Sequence, residues 1–361
     1  MGKDKKLSKH PFVSVCTPTF NRRPFIPIII KCFENQTYPR DKMEWIIIDD
    51  GTDKIEDLVA HLPYVKYFKY DEKMTLGKKR NLSNENATGD IIVYMDDDDY
   101  YPPDRVKHAV EKLRGSKAMC AGSSAVCIYF KHINKILQFG PYGPNHATAA
   151  TFAFKRELLK ETKFDEESSV AEERKFLKDY TVPFIQLESI KSILVFSHNH
   201  NSFDKKELLK QTPNPHIHET SLFPKDLVLE PDILKFFMED IDALLDKYDP
   251  GKPDHKPDVK KQLAEIKIDR ENKMQELMKQ QADYDNLITK ITIMNNPEMI
   301  EKQLNDQKML IQQLMFENNN LKQQLLYLNN KITQLIKGQI EKRKDEKKIE
   351  LGNNCQTINI V

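Results

Sequence analysis

Four consecutive carboxylates, Asp96, Asp97, Asp98 and Asp99, follow directly on the run Ile91-Ile92-Val93-Tyr94-Met95. The run is apolar and β-prone, the pattern of a buried strand. Adjacent acids at a strand end repel one another unless a positive charge sits among them. Pro102 and Pro103 come next, and Asp104 opens a helix-like run through Leu113. The acids are therefore expected in a strand-to-helix turn, where open α/β sheets place their ligands. Hard divalent cations take oxygen ligands. A divalent metal carrying a phosphorylated substrate is the chemistry such a turn suits. The competing reading is a solvated acidic turn that caps the next helix.

The elements that must position this turn alternate regularly. Strands are predicted at Phe12 to Thr17, Glu44 to Ile48 and Val65 to Tyr70, ahead of the acidic strand. Helices fall between them: one from Pro24 to about Asn35, a short one from Ile55 to His61, and one opening at Gly77 and ending near Gly89. This β-α-β-α-β-α-β order implies a mostly parallel sheet covered on both faces. After residue 114 the pattern becomes mixed. Ala118 to Phe130 is β-rich, Asn134 to Phe139 could pair with it as a hairpin, and Ala149 to Phe154 is a further strand. Arg156 to Thr162 and Ala171 to Asp179 read as helical, and Phe184 to Leu187 and Ser192 to Phe196 as closing strands. From about 204 the chain turns polar, with prolines at 213, 215, 224 and 231, and Pro231 to Tyr248 reads as one amphipathic helix. Asp249 to Pro257, with three prolines and a glycine, reads as a linker.

Beyond the linker the pattern is heptad. Leu304, Ile311, Asn318, Leu325 and Ile332 occupy one position, and Leu314, Leu321, Leu328 and Leu335 the other. A 3.5-residue period with Asn at an a position favours a parallel two-stranded coil. A weaker repeat runs upstream through Leu263, Ile266, Leu277, Tyr284, Leu287 and Ile291. The alternative is a helix that packs back on the globular part. The boundaries expected are a leader at 1–10, a globular domain at 11–203, a helical extension and Pro-rich linker at 204–257, a coiled coil at 258–350 and a tail at 351–361.

Composition narrows the class. Charged residues make up 31% of the 361-residue chain and the net charge is +1, so nothing draws it in bulk to nucleic acid or anionic membrane. No apolar run reaches the about 18 residues of a membrane span. Five cysteines without CxxC spacing read as buried, reduced thiols of a cytoplasmic protein. The abundance of Lys, Asn and Ile suggests an AT-rich genome, such as that of a large DNA virus or a protist; host cytoplasm or a virion would be the location in the viral case.

Together these segments resemble the family 2 glycosyltransferases and their GT-A fold over about residues 12–200. The carriers are Val13 through Arg22 at the first strand and turn, Asn35-Gln36-Thr37-Tyr38-Pro39, and Trp45 through Asp53. Gly77 with Arg80-Asn81, Ala87-Thr88-Gly89-Asp90, and Asp96 through Asp99 before Pro102 complete the set. The resemblance implies a hexosyltransferase-like enzyme that takes a nucleotide-diphosphate sugar, most commonly a UDP-sugar, and uses Mn²⁺ or Mg²⁺. The family's Asp-x-Asp motif falls on Asp96 and Asp98, with Asp98 on the metal and Asp96 on ribose or metal; Asp97 would orient its neighbours. Asp49 or Asp50 would recognise the base. Thr17, Pro18, Asn21 and Arg22 would line the nucleoside pocket. Lys79 and Arg80 could face the diphosphate, unless Lys79 lies on a solvated helix face.

The family's Glu-Asp pair falls on Glu172 and Glu173. Glu173 aligns with the base that takes the acceptor hydroxyl's proton in an inverting transfer, and Glu172 could bind the acceptor. The second residue is Glu where the family has Asp. His198, or alternatively His200, matches a late metal ligand. Gln-x-x-Arg-Trp, the mark of processive members with membrane helices, is absent, and Trp45 is the only tryptophan. A glycan, protein or small-molecule acceptor and a homodimer joined by the coiled coil are the partners implied. A GT-A-fold scaffold that has lost chemistry is the alternative from another class.

Overall fold

In the computed structural model, residues 8–210, 214–293 and 297–355 are described, with side-chain surroundings for 8–210, 214–288, 301–334 and 336. Residues 1–7 of the expected leader and 356–361 of the expected tail lie outside the described residues. Two compact units are distinguished, Met1–Asp269 and Arg270–Val361.

The first unit opens with β1 (Val13–Thr19), α1 (Ile26–Glu34), β2 (Met43–Asp49), α2 (Glu56–Val59), β3 (Val65–Lys69), α3 (Leu76–Asn86), β4 (Ile91–Tyr94) and α4 (Arg105–Arg114). It continues through β5 (Cys120–Gly122), β6 (Val126–Phe130), β7 (Lys135–Phe139), β8 (Ala153–Lys155), α5 (Glu173–Phe176), β9 (Phe184–Gln186), β10 (Leu194–Ser197) and β11 (Ile217–Glu219). The main sheet has seven strands in the order β3-β2-β1-β4-β8-β5-β9. Its first four strands are parallel, as the alternation requires. β8 runs antiparallel to both β4 and β5, so the sheet is mixed. A second sheet, β10-β6-β7-β11, carries the expected hairpin.

Strand periodicity explains the two-sided core. On β1, β2 and β4, Val13, Val15, Trp45, Ile47, Ile91 and Val93 enter one buried cluster. Their alternating neighbours Cys16, Ile46, Ile48, Ile92 and Tyr94 enter the other. Side chains two apart share a face, and both faces here are covered by apolar partners.

Three expectations change. The helix predicted over Ala171 to Asp179 is only the single turn α5, because Ala171, Lys178, Asp179 and Tyr180 all hold positive φ. The proline-interrupted stretch after residue 204 also holds a short strand, β11, whose His218 pairs with Gln138. Residues 204–257, read as a separate extension and linker, belong to the same compact unit as the sheets. After α6 (Pro224–Leu227), the helix α7 (Pro231–Lys235), the π-helical turn Phe236–Asp240 and α8 (Ile241–Asp246) bring Ile233, Phe236, Phe237, Ile241 and Leu245 into the main core. Phe237 stacks on Phe196 at 4.0 Å. Each such aromatic contributes about 1.5–3 kcal/mol on burial, which holds the segment down despite its prolines.

Two long helices follow, α9 (Pro257–Ile293) and α10 (Pro297–Cys355). On α10 the heptad residues Ile311, Leu314, Leu321, Leu325, Leu328 and Ile332 are all exposed along the single chain. Leu335 and Ile291 lie outside the residues whose side chains are described. Among the described residues no helix is long and apolar enough to cross a membrane. Cys16, Cys32, Cys120 and Cys127 are free and buried.

Candidate functional site

The acidic turn lies where the sequence puts it, between β4 and α4. Asp96, Asp97 and Asp98 line a cavity of about 140 Å³ together with Pro18, Arg22 and Lys79. Arg22 supplies the charge that lets the acids coexist. Its guanidinium stands 3.6 Å from Asp97 and 3.3 Å from Asp98. The three carboxylates of the turn's centre respond differently. Burial would raise the Asp98 pKa, but Arg22 and a hydrogen bond from His198 hold it well below the usual range. Burial, and then the charge of Asp98, push Asp97 up to about 7. Asp99 is pushed well above its ordinary value for the same reasons. One ionised acid thus stays fixed beside two that resist ionisation, as expected of a tight carboxylate cluster.

His198 is buried at the end of this cluster, its Nε2 3.5 Å from Asp98 Oδ2. Burial pulls its pKa to about 4, so the imidazole is neutral at pH 7. The His200 N–H donates to His198 Nδ1 at 3.2 Å, so the proton of the neutral ring lies on Nε2 toward Asp98, and a divalent cation taking both groups as ligands would displace that proton. Asp96, expected with them, is instead held by Arg80, whose two terminal nitrogens stand 3.3 Å from its oxygens. Among the described residues no group of three His, Cys, Asp or Glu side chains is arranged to hold a metal. The His200 ring lies against Tyr248, centroids 6.4 Å apart, and its backbone carbonyl accepts from Arg22 at 2.9 Å.

Several expected donor contacts are committed elsewhere. The Thr17 hydroxyl accepts from Trp45 at 2.8 Å and donates to the Met95 carbonyl at 2.6 Å, so it faces the core. Asp49 accepts from Gly51, Ile55 and Tyr67 and acts as a turn anchor. Asp50 accepts from the Met74 N–H at 2.6 Å and pairs with Lys79 at 2.8 Å. That pairing also removes Lys79 from the solvated helix face considered above, since it is buried. Asn21, at φ 53°, donates to the Pro250 carbonyl and accepts from the Asp53 N–H. Asparagine tolerates this left-handed conformation, and here it fastens two loops together.

Arg80 links the two halves of the site. It is fully buried, lies over the Tyr94 ring at 4.5 Å, and donates through Nε to Glu172 at 2.7 Å. It reaches Asp96 with its other end. Expected toward a diphosphate, it instead ties the acidic turn to the Glu172-Glu173 pair. Glu172 is buried in that contact. Glu173 is half-buried at the start of α5, and among the described residues no side chain donates to or pairs with its carboxylate. Burial, then the neighbouring charge of Glu172, push it up to about 7. A free carboxylate with a pKa near neutrality is suited to general base work.

The sequence reading missed part of the cavity wall. Phe20, Lys73, Met74 and Ser169 line it, and so do Ser202, Lys256, Asp258 and Val259. Phe20 could have been found, as an apolar residue inside a polar turn. Nothing local marks Lys256, which sits among prolines in the segment read as linker.

Residues 14–169 match the family model described as "Glycosyl transferase family 2". The chain carries a family 2 glycosyltransferase domain. Over 109 residues it is 28% identical to the poly(ribitol-phosphate) β-N-acetylglucosaminyltransferase TarS of Staphylococcus aureus, 27% of this chain and 18% of that protein. It is 37% identical over 106 residues to an uncharacterized glycosyltransferase of Rickettsia conorii, 28% of this chain and 17% of that one. A GalNAc(5)-diNAcBac-PP-undecaprenol β-1,3-glucosyltransferase of Campylobacter jejuni matches at 27% over 178 residues, 44% of this chain and 56% of the relative. The chain thus spans less than two thirds of the length of each of these relatives. Among solved structures, a mannosyltransferase from Pyrobaculum calidifontis in complex with GDP-Man and Mn²⁺ aligns at TM-score 0.45 and 19% identity, covering 58% of this chain and 67% of that one. S. aureus TarS 1–349 aligns at TM-score 0.41 and 20% identity, covering 52% and 60%.

Proposed function

We propose that this protein is a metal-dependent, inverting glycosyltransferase of GT-A fold that moves a sugar from a nucleotide-diphosphate sugar to an acceptor hydroxyl. A UDP-sugar is the favoured donor class. The observation that carries the reading is the joining of two acid clusters of opposite character through Arg80: an ionised Asp98 beside Asp96 on one side, and a near-neutral, unpaired Glu173 on the other. Asp98 and His198 would hold Mn²⁺ or Mg²⁺, which when bound stabilises the negative charge of a departing diphosphate. Pro18 and Phe20 would flank the nucleoside, and Asp50, released or retained by Lys79, would meet its base. Glu173 would accept the acceptor's proton, and Glu172, held by Arg80, would fix the position of Glu173. The second unit would dimerise two copies through the exposed heptad stripe of α10. Four free thiols support a cytoplasmic location.

Calorimetric titration of UDP, GDP, CDP and dTDP, with Mn²⁺ and then with EDTA, tests the reading. One nucleotide is expected to bind in the presence of metal and to be lost on chelation. Binding of none of them under either condition would refute it and leave the oligomeric scaffold as the better account.

A further inference from the structure

The cavity's charges do not balance pairwise. Four cationic side chains line it: Arg22, Lys73, Lys79 and Lys256. Arg22 meets Asp97 and Asp98, Lys79 meets Asp50, and Lys73 meets Asp258. Lys256 has no such partner. It is 7% exposed, and its ammonium donates one hydrogen bond, to the Ser202 hydroxyl at 2.8 Å. Among the described residues no carboxylate lies within ion-pair reach of it. An ammonium carries three N–H donors, and a buried one with no carboxylate in contact is costly; Asp97 and Asp98 favour its charge only from beyond ion-pair distance. Burial and then the nearby Arg22 charge depress its pKa, which expresses the same cost.

The chain goes to some length to put it there. Residues 248–262 form a strap fastened at both ends. On one side Tyr248 donates to Asp53 at 2.8 Å, and the Pro250 and Gly251 carbonyls accept from Asn21 and Arg22 at 3.0 and 3.1 Å. Gly251 lies so close that a Cβ would stand 2.8 Å from both the Asn21 carbonyl oxygen and His200 Nδ1. On the other side Asp258 accepts from Ser169, and Gln262 accepts from the Ser169 N–H at 2.8 Å and donates to the Glu167 carbonyl at 2.7 Å. Lys256 immediately precedes α9, and its carbonyl accepts from the Lys260 N–H, which ties its backbone to the first turn of that helix.

The geometry points to Lys256 as a diphosphate-binding residue of the donor site, delivered by a strap that lies outside the family-matched segment. The inference rests on the donor reading above. When the bond from the sugar's anomeric carbon to the diphosphate oxygen breaks, its electron pair stays on the diphosphate. The acceptor oxygen bonds to that carbon and its proton passes to Glu173. The Lys256 ammonium, its charge favoured by the diphosphate beside it, offsets the charge left on the leaving group.

The test uses the full-length chain, Mn²⁺, the four nucleoside diphosphates and their monophosphates. Losing a hydrogen bond to a charged group costs a factor of about ten or more. Lys256→Gln is therefore expected to weaken the preferred diphosphate about tenfold or more and its monophosphate by less than about twofold, with Lys256→Arg retaining most of the affinity. Unchanged diphosphate affinity, an equal loss for the monophosphate, or tighter binding would each overturn the assignment while leaving the donor reading intact. A wild-type chain that binds none of the nucleotides would instead overturn the donor reading, and this inference with it. Should Lys256→Gln fail to fold, Ser202→Ala is expected to give a smaller, diphosphate-selective loss; a loss equal for both nucleotides, or none, would count against the role.

Discussion

The two acid clusters of the site contain the same chemical group and behave in opposite ways. In the turn after β4, Arg22 and His198 surround Asp98 and keep it ionised, at the cost of pushing Asp97 and Asp99 toward protonation. At the start of α5, Arg80 is spent on Glu172, and Glu173 is left with burial and a like charge beside it. A carboxylate's role is thus set by which neighbour receives the arginine. The first arrangement suits holding a cation and a phosphate, and the second suits moving a proton.

The comparison breaks first at Asp98. Asp98→Ala is expected to lower transfer by a factor on the order of 10³ or more and to abolish metal-dependent nucleotide binding, measured by turnover and calorimetry. Transfer that survives would make the acidic turn structural. At the other cluster, Glu173→Gln is expected to lower kcat by about 10²–10⁴ while nucleotide affinity stays unchanged. The Glu173 pKa, raised to about 7, means that the base is protonated and idle below that pH. The rate should therefore rise with pH through about 7 and then level, and the Gln variant should lose this limb. A flat wild-type profile would assign the proton transfer elsewhere.

Arg80 sharpens the contrast because it serves both clusters. Arg80→Met leaves Glu172 buried without its partner, and breaking a buried pair in this way costs about 3–5 kcal/mol. Denaturant unfolding should report that loss; a change below about 1 kcal/mol would mean that the two clusters are not energetically joined through it. The smallest effect on the site is expected from removing the second unit. A chain ending at residue 269, the boundary between the units, keeps the strap and should bind nucleotide as the full chain does, while becoming monomeric in light scattering. A persistent dimer would refute assembly through the heptad stripe.

Much of the first half could be read directly from residue order. The parallel strands β1 to β4 are short β-prone segments bounded by turn residues, β2 and β4 mostly apolar and β3 interrupted by Lys66, so composition and length place them within a residue or two. The second half was less legible because its strands are short. β5, β8 and β9 have three residues each, too few for a period to show, and α5 ends early where three successive residues adopt positive φ. Within the site, the structure sets Arg22 and Asp98 in one pocket, while Thr17, Asp49 and Arg80 give their polar atoms to partners that residue order does not reveal. A polar side chain serves whichever partner lies across the fold, and Trp45, Tyr67 and Glu172 are 28, 18 and 92 residues away from them.

Residue order by itself therefore determined the parallel half of the sheet, the acidic turn at its carboxyl edge and the family to which residues 14–169 conform. These are local matters of periodicity and of acids following a buried strand. Only the tertiary structure decided which carboxylate stays charged, which lysine goes unpaired, and that a proline-rich segment read as a linker closes the cavity. Charge state and contact depend on distances between groups far apart in the chain, and burial, which sets the strength of every such interaction, exists only once the chain has folded.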